Sequence, residues 1–333
     1  MKRVAFMIVY ALICGMVFTN CNKDEPKGEE EIAGIEDISF ANFPKMDGST
    51  STSILNRVIA CQLLGVRYSW LPPQSLGVWG HEVEWKIEPE AGDIPQQFRD
   101  NFFTERVKTS QTNGAFMNLI NGNVDIILTH RTISPDEKAQ ANSKGVSLLE
   151  TSIALDAFVF ILNINNPVKS LTVNQVQEIY TSKITNWSEV GGNNARIDVF
   201  TRPRNSGSEE VFRIVVMNGI TPDDFPEESG ISTMGAVFYE VNTNPNGICY
   251  TFNNYKDMIV RCPDSEVPKI AINGIFPDEN TVKNRTYPFI SEVHVAIRSD
   301  LDPNSMAYKL YEWLQTENVN PILTECGFLW GIP

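Results

Sequence analysis

Apolar positions along this chain follow two alternating rhythms. From about Ile35 onward, short unbroken apolar runs suited to buried strands alternate with stretches whose apolar residues return every three or four positions, the spacing of one helix face. That alternation is the pattern of α/β layers. Ile54, Leu55, Val58, Ile59 and Leu63 predict a helix over residues 50–64, and Phe116, Leu119 and Ile120 predict a second one ahead of a buried strand at 124–128. Residues 156–162, DAFVFIL, are rich in β-branched and aromatic side chains and give the strongest strand prediction. Leu171 to Val176 opens another helix, with Thr172 as its N-cap, and Val211, Phe212, Val215 and Val216 mark a helix over 209–217. Further strands are expected at 197–201, 269–273 and 294–298, and a last helix near 305–316. Residues 65–103, with Trp70, Trp79, Trp85, Pro72, Pro73 and Pro89, are less regular. They are expected to cover an edge of the fold, with shielding of a site or docking of a partner as the alternatives.

The N-terminus changes the picture of where the protein works. Met1-Lys2-Arg3 precedes an apolar run over 4–18 that is short for a membrane span, so residues 1–20 read as a secretory signal. Phe18-Thr19-Asn20-Cys21 resembles the lipobox of bacterial lipoproteins, although Asn20 departs from the small residue usual there. That resemblance implies lipidation of Cys21 and a membrane anchor, with an ordinary cleaved signal as the alternative. Residues 21–34 form a charged tether, poor in apolar side chains, before one folded unit over 35–333. Within the tether, Lys23-Asp24-Glu25 resembles the acidic signal that sends some lipoproteins to the outer surface.

With 333 residues, 42% of them hydrophobic, the chain can bury one large core or two medium ones. Its net charge of −14 argues against a nucleic-acid partner, which needs a basic face. A small anion is not excluded, because local N–H donors outweigh the average field at short range. Four cysteines fall in the folded unit, with no CxxC pair, and His81, His130 and His294 are scattered, so no metal or cofactor is expected. In an oxidising compartment Cys249–Cys262 and Cys61–Cys326 are the expected disulfides, with buried free thiols as the alternative.

Three segments then place glycine and small hydroxyl residues at the start of a helical pattern: Asp47-Gly48-Ser49-Thr50-Ser51, Thr112-Asn113-Gly114 and Asn205-Ser206-Gly207-Ser208. A helix start offers unpaired N–H groups and partial positive charge, hydroxyls add donors, and glycine lets the backbone come close. Each alone is merely a capped helix. Arg202 and Arg204 before the third segment, and Arg131 after the 124–128 strand, could supply charge, since the guanidinium fork matches a tetrahedral oxyanion and stays ionised when buried. Arg202 is the foremost of the three because it shares a loop with Ser206.

Order and spacing of several motifs now give a more specific likeness. Ala154 to Ile161, Asn166-Pro167-Val168, Leu171-Thr172, Ile179-Tyr180, Lys183-Ile184-Thr185-Asn186-Trp187 and Val190-Gly191-Gly192, with the first and third anion segments, Arg202, Asn273-Gly274-Ile275 and Tyr287-Pro288, resemble the periplasmic phosphate-binding proteins of phosphate ABC transporters. The likeness runs over roughly 44–327 and is weakest over 65–103. It implies an α/β, two-lobed type II periplasmic-binding-protein fold, with a central mixed sheet in each lobe and a ligand cleft between lobes. One lobe would hold about 35–155 plus 284–333, the other about 156–283. It further implies a monomeric, extracytoplasmic solute receptor rather than an enzyme, with a small oxyanion, phosphate first, as ligand and an ABC permease as partner. Carried over by position, Ser49, Thr50 and Ser51 belong to the first anion loop, Thr112 to the second, and Arg202, Ser206, Gly207 and Ser208 to the third.

One departure matters. Where the best-known members place an aspartate that accepts a hydrogen bond from protonated phosphate, this chain has Thr129-His130-Arg131. Arg131 is expected as a second positive anchor. His130 could bind, gate by protonation or face solvent, and solvent is the expectation. The alternatives are a surface lipoprotein for another oxyanion or for adhesion and scaffolding, and a phosphatase built on Ser206 or Thr50 with His130 as base. No GxSxG, GxxxxGK[ST], HExxH or GxGxxG motif supports the enzyme.

Overall fold

The strand that the DAFVFIL run announces is the spine of the molecule. This computed structural model describes residues 33–73, 83–223 and 231–331. The signal, Cys21, most of the tether, Trp79 and His81 lie outside the described residues. Eleven strands are present among those described: β1 (Met46–Gly48), β2 (Tyr68–Leu71), β3 (Lys86–Pro89), β4 (Ile126–Thr129), β5 (Leu148–Leu162), β6 (Ser170–Leu171), β7 (Asp198–Val199), β8 (Gly247–Phe252), β9 (Ala271–Ile272), β10 (Ile290–Arg298) and β11 (Leu329–Trp330). The main sheet runs β1-β4-β10-β5-β8-β7, with β11 also on β5.

At 15 residues, β5 is long enough to serve two sheets in succession. Leu148 to Ala157 pairs antiparallel with β10, and Phe158 to Leu162 pairs antiparallel with β8. Its last ten residues are buried on both faces, which is why they read as a continuous apolar run rather than an alternating one. In the β10 half, β4 lies antiparallel to β10 and β1 parallel to β4. In the β8 half, β7 lies parallel to β8. The sheet is thus mixed in both halves.

Helices cover it: α1 (Ser53–Leu64), α2 (Phe102–Arg106), α3 (Gln111–Ile120), α4 (Pro135–Ser143), α5 (Val173–Ile179), α6 (Gly207–Val211), α7 (Ala236–Thr243), α8 (Glu279–Lys283), α9 (Met306–Trp313) and α10 (Asn320–Glu325). The apolar stripe of α1 is buried as expected, and Gly65 ends it at φ 66°, a left-handed conformation that favours glycine. Thr172 caps α5 in a reciprocal box with Gln175. The helix expected over 209–217 begins as α6 and continues as a π-helical turn, Phe212–Met217. The strands expected at 197–201 and 269–273 shorten to β7 and β9, and α10 follows the helix expected to be last.

The expected disulfides are corrected: Cys61, Cys249, Cys262 and Cys326 are all free and buried. Burial pushes the thiols of Cys61 and Cys249 up to about 12, so they behave as small apolar side chains. In the irregular region, β2 and β3 form a hairpin. The Arg261 guanidinium stacks on its tryptophans, 3.8 Å from the Trp85 ring centre and 4.8 Å from that of Trp70, and the Trp85 N–H donates to Ile259 O at 2.7 Å. Trp70 and Trp85 therefore pack against the segment around the turn over Tyr255–Val260.

Candidate anion-binding site

Three separate chain segments meet around one cleft of about 310 Å³. Ser49, Thr50 and Ser51 come from the turn that follows β1, and Thr112 comes from α3. Arg202, Ser206, Gly207 and Ser208 come from the loop that enters α6. Eight of the nine expected ligand residues are thus brought together.

Local chemistry fixes each segment. Asp47, fully buried, ties the first to the second: its Oδ1 accepts from the N–H groups of Gly48 and Ser110, both at 2.8 Å, and its Oδ2 accepts from Asn118 Nδ2 at 2.8 Å. Gly48 has no room for a side chain, because a Cβ would lie 2.7 Å from both Leu128 O and Thr52 Oγ1. Residues 50–52 form one 3-10 turn ahead of α1. Thr112 sits inside the first turn of α3, not in a loop before it.

Two non-glycine residues, Gln111 and Asn205, hold left-handed backbones at φ 63° and 65° immediately ahead of the second and third segments. Such conformations cost roughly 1–3 kcal/mol and concentrate at functional sites, though asparagine adopts them more readily. Ser206 caps α6 by accepting from the Glu209 N–H at 3.3 Å, which leaves its own proton free to donate. Gly207 lies against Thr112, where a Cβ would overlap the Thr112 hydroxyl and sit 3.2 Å from its Cβ. The second and third segments therefore touch at the cleft, and only a glycine allows it.

Arg202 and Arg204 both line the cleft, Arg204 exposed and Arg202 buried, so Arg202 is the desolvated charge. It is 9% exposed, and its Nε reaches Ser208 Oγ at 3.4 Å while a terminal nitrogen donates to Ile231 O. Among the described residues, no carboxylate forms an ion pair with it. Burial pulls its guanidinium below the ordinary value, opposed by surrounding groups that include Tyr250 and Glu209. The Arg202 backbone is anchored by its N–H on Tyr250 Oη at 3.1 Å, and the Tyr250 hydroxyl donates to Glu209. Tyr250 in turn stacks on Phe212, ring centres 4.6 Å apart. The aromatic core of the β8 half thus holds a guanidinium at the cleft without neutralising it.

Arg131 is the correction. It does not line the cleft; its two terminal nitrogens lie on Glu137, at 2.7 and 2.8 Å, with both side chains almost wholly buried. Glu137 stands in the first turn of α4, whose Ser134 and Glu137 cap each other. Burial would raise the Glu137 carboxyl, but the Arg131 fork and the Ser134 N–H hold it below its ordinary value. Its charge is offset by that carboxylate, although its buried Nε has no hydrogen-bond partner among the described residues.

His130 is corrected too. It is buried rather than facing solvent, stacked on Phe252 with ring centres 4.0 Å apart. Its Nδ1 lies 2.7 Å from Ser51 Oγ and its Nε2 3.2 Å from Asp156 Oδ2. Asp156 and Phe252, which sequence reasoning missed as neighbours of the site, come from β5 and β8. The one available signal was an acidic residue opening an otherwise apolar strand.

Comparison with known proteins agrees with this architecture. A family model described as a PBP superfamily domain matches residues 96–318. The phosphate-binding protein PstS of Bacillus subtilis is 24% identical over 195 residues, covering 58% of this chain and 61% of that protein. The chain thus spans less than two thirds of that relative. The protein SphX of Synechococcus elongatus is 25% identical over 256 residues, covering 73% and 74%. Among solved structures, an ABC-type phosphate transport receptor from Vibrio cholerae shares the fold at TM-score 0.57 and 20% identity, over 89% of this chain and all of that one. A protein from Clostridium perfringens, assigned as a phosphate ABC transporter substrate-binding protein and solved with bound phosphate, shares it at TM-score 0.57 and 22% identity, over 88% and 99%. The fold is therefore the mixed α/β, two-lobed type II architecture, and the chain belongs to the PBP superfamily.

Proposed function

We propose that this protein is an extracytoplasmic solute receptor that captures a small tetrahedral oxyanion, phosphate first, in the cleft at Arg202. The observation that carries this reading is a buried guanidinium that, among the described residues, forms no ion pair with an acid and is ringed by hydroxyls from three chain segments. A desolvated charge without a counter-charge is costly, and an anion in the cleft would remove that cost. Helix starts and hydroxyl donors would replace the water an oxyanion loses on entry. The PstS relatives and the neighbour solved with phosphate support phosphate over other oxyanions.

In this reading the two halves of the sheet are the lobes, about 35–155 plus 284–333 and about 156–283. Closure on an anion would be recognised by an ABC permease. The chain would act as a monomer held to a membrane through lipidated Cys21, after removal of residues 1–20. Among the described residues, no helix is long and apolar enough to cross a membrane. Titration of purified protein with phosphate, sulfate, arsenate and molybdate, followed by tryptophan fluorescence, tests the function. Saturable binding of phosphate is expected, and absence of binding to all four would overturn the reading.

A further inference from the structure

We propose that the tryptophan-bearing hairpin of β2 and β3 is a strap between the two lobes. Rooted in the β10 half and docked on the β8 half, it limits how far the anion cleft opens and slows release of the anion. This inference rests on the two-lobed receptor reading above and adds a device that governs its motion.

The root of the hairpin lies on helices of the β10 half. The Tyr68 hydroxyl donates to the Glu325 carboxylate at the end of α10, 2.7 Å away, and accepts from Gln62 Nε2 of α1 at 2.8 Å. Trp70 Nε1 lies 3.4 Å from the same carboxylate, and Ile87 of β3 is buried in the core that α1 helps to form.

The other end of the hairpin crosses to residues of the β8 half. The Trp85 N–H donates to Ile259 O at 2.7 Å, and the hydroxyl of the fully buried Tyr255 donates to Glu84. Val83 packs where Gly235 has no side chain, since a Cβ there would lie 2.8 Å from Val83 Cγ2. The Arg261 guanidinium lies over the rings of both Trp70 and Trp85, so one side chain of the β8 half gathers a tryptophan from each arm of the hairpin.

In the two-lobed reading the lobes turn about the middle of β5 and the chain that enters β10. Opening would pull residues 83–85 away from Gly235, Tyr255, Ile259 and Arg261, so those contacts must break before the lobes can part. The strap also bears on the wall of the cleft. Gly235 follows Ser232 and Met234, which line it, and Ile231 O, which accepts from Arg202. Burial pushes the Tyr255 hydroxyl well above its ordinary value, Glu84 adds to that and Arg202 opposes it, so the strap and the binding charge act on one group. Two hydrogen bonds and one stacked guanidinium are strong enough to bias an opening equilibrium and weak enough to yield to it.

Arg261→Ala cuts the strap with little risk to folding, because Arg261 is exposed and does not line the cleft. Small-angle X-ray scattering of anion-free wild type and variant reads the opening. Loss of radiolabelled phosphate into excess unlabelled phosphate reads the release rate. The anion-free variant should have a larger radius of gyration than anion-free wild type and return to the wild-type value with phosphate. Phosphate release should quicken by about tenfold, the scale of a cation–π contact with two rings.

Equal radii and equal release rates in a folded variant overturn the strap and leave the receptor reading intact. A wild type that binds no phosphate overturns the receptor reading, and the radii of the two anion-free proteins then decide the strap by themselves. Should the variant not fold, hydrogen exchange of the anion-free wild type decides. A protected Trp85 N–H upholds the docked hairpin, whereas exchange of that N–H at the rate of an open chain overturns it.

Discussion

Two buried arginines, Arg131 and Arg202, do opposite things. Arg131 stands after β4 and meets Glu137 in a two-pronged pair, so its charge is cancelled inside the β10 half. Arg202 follows β7 and meets a serine hydroxyl and a backbone carbonyl, so its charge is held and left open. In the proposed reading, burial alone does not mark a binding arginine; the lack of an ion pair among the described residues does. A protein that needs a structural cation builds its counter-charge into the chain, and one that needs a receptor leaves that place for the ligand.

The comparison can be broken by disturbing either arginine. The largest effect is expected from Glu137→Ala, which strands Arg131 in the interior and should cost about 3–5 kcal/mol in denaturant unfolding while leaving the phosphate Kd nearly unchanged. Replacing both partners by apolar residues, Arg131→Met with Glu137→Leu, should recover most of that loss. The pair also adds acid sensitivity. Because the Glu137 carboxyl is held below its ordinary value when folded, its contribution is present above the usual carboxylate range and fades as pH falls through the depressed value. Unfolding of the double variant should lack that part of the acid loss.

Giving Arg202 what Arg131 already has should come next. Ser208→Asp places a carboxylate beside the Arg202 Nε, and phosphate affinity should drop roughly a hundredfold, about 2.7 kcal/mol, while the anion-free protein gains stability. Undiminished affinity would mean that Arg202 is not the charge the anion uses. Smaller again is Gly207→Ala, whose new methyl meets Thr112. Thr112 must shift, and affinity should weaken about tenfold, with little change in the unfolding of the anion-free protein.

The contrast between the arginines also marks what the sequence could reveal. The meeting of Arg202 with Ser206, Gly207 and Ser208 at one cleft was readable because these residues are neighbours in the chain. The apolar run at Asp156 to Leu162 was readable for a similar reason, since burial on both faces leaves a continuous signal. Arg131 was misread although Ser134-Pro135-Asp136-Glu137 carries a visible capping pattern. The capping box predicts a helix start, but not that the helix turns its glutamate back onto the preceding arginine. His130, just after β4, and Asp156, on β5, are 26 residues apart with β10 between those strands, and only the assembled sheet brings them to Ser51. The cysteines failed likewise: pairing depends on where Cα atoms meet, and spacing along the chain does not encode that.

The account stands or falls on Arg202 as the charge complement of the anion. Calorimetric titration of phosphate-stripped wild type and Arg202→Ala with phosphate is the direct measurement. One saturable site is expected in the wild type, weakened by more than about tenfold in the variant. Equal affinity in the two proteins would contradict it.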